Sequence, residues 1–323
     1  MPVPVTVLTG FLGAGKTTLL RALLRDPGGL KIAVLVNDFG EINIDAALVV
    51  EGQADSLTLS NGCVCCTIQT ELVEAIEKLL RDRPDLDRIV IEASGVSRSL
   101  PLTDLVESEA LAGRIRLDGM FCLVDAAGFP ELDFAATELA LDQITGADVI
   151  LLNKADLVTE AEMAALKSRL SGVQGSARML PCVAAELPHE LLFGSVARAA
   201  PHPHDHGPGC GCGHHHAPEE HLSAFTSWSW RSTEPLDEAR LRRTLRDIGR
   251  GLLRAKGVLR VARVDGRIAA LEYQQVGRRA RWTELPPGTE ATESLLVTIG
   301  LGDGVDPERF SALLETCRDG VAA

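Results

Sequence analysis

Three cysteines, Cys63, Cys65 and Cys66, fall within four positions in "SNGCVCCTI" (residues 60–68). Cys63 and Cys66 have the C-x-x-C spacing that lets two sulfurs reach one tetrahedral ion, and Cys65 is placed to supply a third. With one such pair nearby, a closed four-cysteine structural zinc site cannot be assembled locally. An incomplete thiolate set suits a site that releases its metal. The same residues also read as a redox dithiol, since C-x-x-C serves disulfide chemistry, or as three small buried side chains. The cluster follows a short strand and precedes a helical pattern, with Thr67 the expected N-cap. A helix N-terminus favours the thiolate form that a metal needs.

"GFLGAGKT" (Gly10 to Thr17) matches G-x-x-x-x-G-K-[ST] between an apolar strand and a helical pattern. Its glycines let backbone N–H groups turn inward around phosphates, and the following helix N-terminus adds partial positive charge. Gly10, Gly13, Ala14, Gly15, Lys16, Thr17 and Thr18 are the expected nucleotide contacts. Lys16 reaches the β- and γ-phosphates and Thr17 holds Mg²⁺. "NKAD" (Asn153 to Asp156) ends another strand. An Asp156 carboxylate accepts from guanine N1–H and the N2 amino group, neither of which adenine offers, so the pair of motifs favours GTP over ATP. Asn153 supports the base from its other edge, and the Lys154 stem packs over the ring.

Two further acids end strands. In "VIEASG" (90–95), Glu92 is placed for the Mg²⁺ shell or for orienting the attacking water, and Gly95 for giving an N–H to the γ-phosphate. In "VNDFGEINID" (36–45), Asp38 is a second candidate for Mg²⁺ or water, and Glu41 a candidate for the thiolate metal site. The expected catalytic residues are therefore Lys16, Asp38 and Glu92. The cysteine cluster lies between the Asp38 and Glu92 segments, the stretches that sense a γ-phosphate. A metal site between them is assembled in one nucleotide state and opened in the other.

The elements that must hold these residues alternate. Apolar strand-like runs at 3–9, 31–37, 56–60, 88–93, 120–126, 148–153 and 178–184 are separated by helical patterns, among them Ile68, Leu72, Ile76 and Leu79 at helical spacing. Little alternation within the runs points to a sheet buried on both faces, hence a doubly wound, mostly parallel α/β domain over 1–200. Residues 201–221, "PHPHDHGPGCGCGHHHAPEEH", carry seven His and two Cys and no core-forming side chains. They read as a metal-prone linker. Residues 222–323 follow with the order β-α-β-β-β-β-α, a smaller α+β domain.

Composition excludes several classes. The 323 residues are 46% hydrophobic and 24% charged, ordinary for a globular chain able to bury its own core. A net charge of −13 without a Lys/Arg block argues against a nucleic-acid partner. No run of about 18 apolar residues predicts a membrane span, and the apolar N-terminus lacks a positive leader and runs into the glycine loop. Eight cysteines are too few for a disulfide scaffold, so a reducing cytoplasm is expected.

"GFLGAGKTT", "NDFGE", "CVCC", "EASG" and "NKAD", in this order, resemble the CobW-type metallochaperone GTPases, relatives of the nickel-insertion GTPases for urease and hydrogenase. "RAKGVLRVA" (254–262) resembles that family's C-terminal domain, and the His-rich linker is typical of it. "CGC" (210–212) within that linker is less usual and leaves open a second, thiol-containing site. The resemblance implies a SIMIBI-class P-loop GTPase that delivers zinc or cobalt to a client protein. Cys63, Cys65 and Cys66 would bind the metal, and Lys16, Thr17 and Asp156 would serve the nucleotide. Two other readings stand beside it: a metal-storage or sensing protein with a regulatory GTPase domain, and a GTPase with a thiol redox switch.

Overall fold

The computed structural model describes residues 2–36, 56–58, 65–95, 104, 106, 108–175, 177–194, 225–286 and 291–318. Asp38, Glu41, Cys63 and the linker 201–221 lie outside the described residues, as do the side chains of Cys65 and Cys66. The chain divides into two compact units, Met1–Leu192 with Val276–Arg279, and Phe193–Gln275 with Ala280–Ala323.

Among the described residues the first unit holds seven strands: β1 (Val3–Gly10), β2 (Ile32–Val36), β3 (Ser56–Thr58), β4 (Arg88–Glu92), β5 (Ile115–Asp125), β6 (Val149–Asn153) and β7 (Arg178–Pro181). They lie in the order β3-β2-β4-β1-β5-β6-β7, and every neighbouring pair is parallel. Its helices are α1 (Lys16–Arg25), α2 (Cys65–Asp82), α3 (Phe134–Thr145), α4 (Glu160–Ser171) and the short α5 (His189–Phe193). Alternate strand residues point to opposite faces. Val5, Val7, Leu35, Ile89 and Ile91 pack with Leu72, Ile76 and Leu79 of α2. Cys122, Val124, Ile150 and Leu152 pack with Ala140 and Ile144 of α3 and Leu166 and Leu170 of α4. Both faces are covered, which is why the strands read as continuous apolar runs. Among the described residues all seven strands point the same way, so their carboxyl ends share one edge of the sheet, with β1 between β4 and β5. In open α/β sheets that edge is where ligands bind.

Several elements differ from expectation. β5 begins at Ile115 rather than at 120, taking in Arg116 and Asp118. The buried Asp118 carboxylate accepts from Arg88 at 2.5 Å and from Arg116 at 3.4 Å, so its charge is paired and the strand continues through it. α2 starts at Cys65, which puts Cys65 and Cys66 in its first turn and Thr67 inside the helix rather than at its cap. α3 has no counterpart among the expected helices. Its buried residues are Ala140, Gln143 and Ile144, a face too small and polar to read as amphipathic.

The second unit holds β8 (Phe225–Ser232), β9 (Leu236–Asp237), α6 (Glu238–Ile248), β10 (Leu252–Ala262), β11 (Ile268–Val276), β12 (Arg279–Glu284), β13 (Ser294–Leu301) and α7 (Pro307–Glu315). The sheet runs β12-β11-β10-β13-β8, with the two-residue β9 beside β10. β10 and β8 both pair with β13 antiparallel. Leu241 and Leu245 of α6 and Phe310 and Leu314 of α7 pack with Trp230, Leu259, Tyr273 and Leu296. Helix α6 ends at Ile248, and Leu252 opens β10. A β-carbon on Gly249 would lie 2.4 Å from Gln275 Oε1, and one on Gly251 2.8 Å from the Gly304 carbonyl oxygen, so the close turn between helix and strand requires glycine. Among the described residues no helix is long and apolar enough to cross a membrane.

Candidate functional site

The loop after β1 turns at Gly10, Gly13 and Gly15, whose φ values are 135°, 75° and 105°. Gly10 packs on β5: a β-carbon there would lie 2.3 Å from the Leu123 carbonyl oxygen. Gly15 packs on β6: a β-carbon there would lie 2.3 Å from Asn153 Nδ2. A side chain at either place would displace the loop. Helix α1 then begins at Lys16 with no acid in its first turn, and among the described residues no side chain caps it. Its leading N–H groups and dipole suit an anion. The buried Lys16 ammonium donates to the Gly10 carbonyl at 2.6 Å and to the Phe11 carbonyl at 3.3 Å, curled into its own loop. Thr18 is exposed, and Ala14 is buried beneath the turn.

The end of β4 meets this loop. The Thr17 hydroxyl donates to Glu92 Oε1 at 3.1 Å, joining two of the three residues expected at Mg²⁺. Glu92 is 5% exposed, so a carboxylate is held at the mouth of a buried strand. Three residues on, Gly95 approaches so closely that a β-carbon would lie 2.9 Å from the Leu12 backbone nitrogen. The Gly95 carbonyl accepts from Gln143 Nε2 of α3 at 3.1 Å. A hydroxyl and a carboxylate side by side under a glycine cradle match the donor set of a magnesium–triphosphate site, so the residues present fit that group.

The other flank is organised by Asn153. Its Nδ2 donates to the Ala14 carbonyl at 2.9 Å, and its Oδ1 accepts from the Ala185 N–H at 2.8 Å. One amide thus ties the loops after β1, β6 and β7 together. Lys154 follows in the left-handed region with φ 59°, and its ammonium donates to Asp125 Oδ2 at 2.5 Å. Asp156 lies in the short 3-10 turn Ala155–Leu157 and is exposed. The loop after β7 holds Ala184 and Ala185 at φ 49° and 56°, a conformation that costs a residue with a β-carbon about 1–2 kcal/mol. Backbone strain of this kind concentrates where a ligand is held.

Thus Gly10, Gly13, Ala14, Gly15, Lys16, Thr17, Glu92, Gly95, Asn153, Lys154 and Asp156 all lie at the carboxyl edge of the sheet. Asp125, Gln143 and the Ala184–Ala185 loop join them there, although no motif in the sequence marks them. Asp125 carried a usable signal, since it ends a buried strand as Glu92 does. The alanines carried none, because alanine seldom takes positive φ. Burial pushes the Cys122 and Cys182 thiols up to about 12, with the Thr9 hydroxyl and the Lys16 charge pulling Cys122 slightly back. Both are neutral thiols in the neutral range and poor metal ligands. Among the described residues, no three His, Cys, Asp or Glu side chains converge as a metal site. The backbone of Cys65 and Cys66 opens α2, the helix that follows β3, so their turn begins from the same sheet edge as the phosphate loop.

Comparison with known proteins gives consistent matches. The model of the CobW/HypB/UreG nucleotide-binding domain matches residues 4–181, and that of the cobalamin synthesis protein cobW C-terminal domain matches residues 225–318. The chain is 32% identical to the zinc chaperone CobW of Pseudomonas aeruginosa, with 92% of this chain and 87% of that one aligned. It is 34% identical to the zinc chaperone YjiA of Escherichia coli, over 93% of this chain and 94% of that one. The crystal structure of a Zn(II)-bound YjiA GTPase from E. coli aligns with 99% of this chain and 100% of its own, at 28% identity and a TM-score of 0.47.

Proposed function

The chain belongs to the CobW/HypB/UreG family of nucleotide-binding proteins, and we propose that this GTPase carries a transition metal, zinc foremost and cobalt as the alternative, on Cys63, Cys65 and Cys66 and passes it to a client protein as GTP is hydrolysed. Relatives named zinc chaperones align along nearly the whole chain, which supports the metal cargo. The observation that carries the reading is the joint between the Thr17 hydroxyl and Glu92 Oε1 beside the Lys16 cradle, on the sheet edge from which the Cys65–Cys66 turn also starts. The protein works in the cytoplasm, in three parts: GTPase domain 1–200, linker 201–221 and C-terminal domain 222–323.

The chemistry follows from the residues. The Lys16 ammonium exchanges its carbonyl partners for the β- and γ-phosphate oxygens, so a charge already in place is re-aimed rather than recruited. Thr17, Glu92 and Asp38 would hold Mg²⁺, which when bound would offset the negative charge of the phosphates. Glu92 also aligns the attacking water, and the Gly95 N–H meets the γ-phosphate. Asn153 fixes the loops around the base, and Asp156 accepts from the two guanine donors. Release of the γ-phosphate frees the Gly95 and Asp38 segments. The thiolate turn between them in the chain, with Glu41 as an auxiliary ligand, opens for transfer.

Hydrolysis of GTP and ATP by the purified protein tests the nucleotide half. GTP should be strongly preferred, Lys16→Ala should nearly abolish turnover, and Asp156→Asn should erode the preference. Equal rates with the two nucleotides in the unmutated protein would overturn the guanine assignment. Zinc content tests the other half: the triple Cys→Ala variant at 63, 65 and 66 should lose the tightest equivalent. Retention of that equivalent would place the primary ligands elsewhere.

A further inference from the structure

Lys154 adopts the left-handed backbone conformation, φ 59°, which a residue with a β-carbon rarely takes, and its side chain is long and flexible. Its ammonium nevertheless has a fixed partner. Asp125 and Asn153 are register partners across β5 and β6, so the strand end next door presents its carboxylate to the residue after Asn153. That carboxylate is itself held. Asp125 Oδ1 accepts from the Ala127 N–H at 3.1 Å and the Gly128 N–H at 3.0 Å, the closed turn that ends β5. Oδ2 is left for Lys154 at 2.5 Å. The turn is tight, since a β-carbon on Gly128 would lie 3.0 Å from Oδ2.

We propose that Asp125 is a positioning residue of the nucleobase site: it anchors the Lys154 ammonium so that the aliphatic stem is already laid out when the purine arrives. The inference rests on the guanine reading of Asn153, Lys154 and Asp156. A free lysine side chain loses rotamer entropy on being fixed. Fixing it beforehand, from a carboxylate whose own rotamer is set by two backbone N–H groups, removes part of that cost from the binding step. Stacking of the stem is indifferent to the substituents of the ring. Asp125 therefore governs affinity for the purine nucleotide, and Asp156 governs the choice among purines.

Asp125→Asn separates the two duties of this side chain. Asparagine keeps an Oδ1 that accepts from Ala127 and Gly128, and replaces Oδ2 by an amide donor facing the ammonium. The experiment measures dissociation constants for GDP and IDP, which lacks the N2 amino group, with ADP as control. It adds kcat and KM for GTP and the thermal midpoint. In Asp125→Asn the GDP and IDP constants should rise by the same factor, roughly fivefold as befits a half-exposed ion pair. The loss should fall on KM rather than kcat, the thermal midpoint should hold, and the same substitution in a Lys154→Met background should do nothing more. Unaltered nucleotide constants in Asp125→Asn, a loss that persists without the lysine ammonium, or a loss tracked by a lower midpoint would overturn the assignment. Equal affinity of the unmutated protein for GDP and ADP would instead sink the guanine reading on which it rests.

Discussion

Asn153 shows how much of the site depends on one side chain. It is 2% exposed and spends its amide on the loops after β1 and β7, so its own role toward a base is inseparable from holding the Ala14 turn. The cysteines divide along the same line of burial. Cys122 and Cys182 have pKa values raised by burial from 9.0 to about 12. A thiol that holds its proton more tightly in the fold than in the unfolded chain contributes stability that is whole below about pH 9. That contribution is lost as pH rises toward 12. The denaturant midpoint should therefore fall across this alkaline window more steeply in the unmutated protein than in a Cys122→Ala/Cys182→Ala variant, each compared with its own value at pH 7. Iodoacetamide at pH 8, mapped by mass spectrometry, should leave both thiols and the buried Cys317 unmodified in the folded chain. Parallel alkaline slopes in the two proteins, or ready labelling of Cys122, would contradict the assignment of these thiols to the core.

Among the elements, α2 is the one that joins core to cysteine turn. It opens at Cys65 and is pinned by Leu72, Ile76 and Leu79 against Val5, Val7 and Ile91. Ile76→Ala should lower unfolding stability by about 2–5 kcal/mol, through lost burial and the cavity left behind. The preference for GTP over ATP should persist, because Ile76 packs in the core with Val5 and Val7 of β1 and Ile91 of β4, whereas Asn153 ends β6 and Asp156 lies in the turn after it. A urea titration reads the first and a hydrolysis assay the second. A variant as stable as the parent would mean that this face is not the anchor. The same helix marks how far the chain could be read in advance. Strands β2, β4 and β6 are legible because burial on both faces leaves mostly apolar runs. The first turn of α2 is not legible, since Cys65 and Cys66 read as ligands before the helix and Thr67 reads as its cap. Helix α3 was missed because its inward residues include Gln143, which is buried for its bond to the Gly95 carbonyl rather than for its hydrophobicity. The N-terminal half of β5 was missed because Asp118 reads as surface until Arg88 and Arg116 are found beside it. Of the site, the glycine loop, Lys16, Glu92 and Asn153 were legible from type and spacing. Asp125 and the strained alanines needed the neighbouring strands that only the fold supplies.

At the scale of the whole molecule, a chain of net charge −13 has no general attraction for an anionic nucleotide, so binding must come from the local glycine cradle, the α1 N-terminus and Lys16. In the proposed mechanism, this nucleotide site and the turn bearing Cys63, Cys65 and Cys66 are coupled. Coupling is reciprocal: if bound GTP tightens metal binding tenfold, bound metal tightens GTP tenfold, a coupling of about 1.4 kcal/mol. It should weaken as pH falls, because the thiols must lose protons to bind metal. The most direct test is a Co²⁺ titration followed by thiolate-to-cobalt absorption, with a non-hydrolysable GTP analogue in one cuvette and GDP in the other. The absorption should rise at lower Co²⁺ concentration with the analogue, and vanish in the triple Cys→Ala variant at 63, 65 and 66. Superimposable curves in the two nucleotide states would contradict the account, leaving a GTPase and a metal site that merely share a chain.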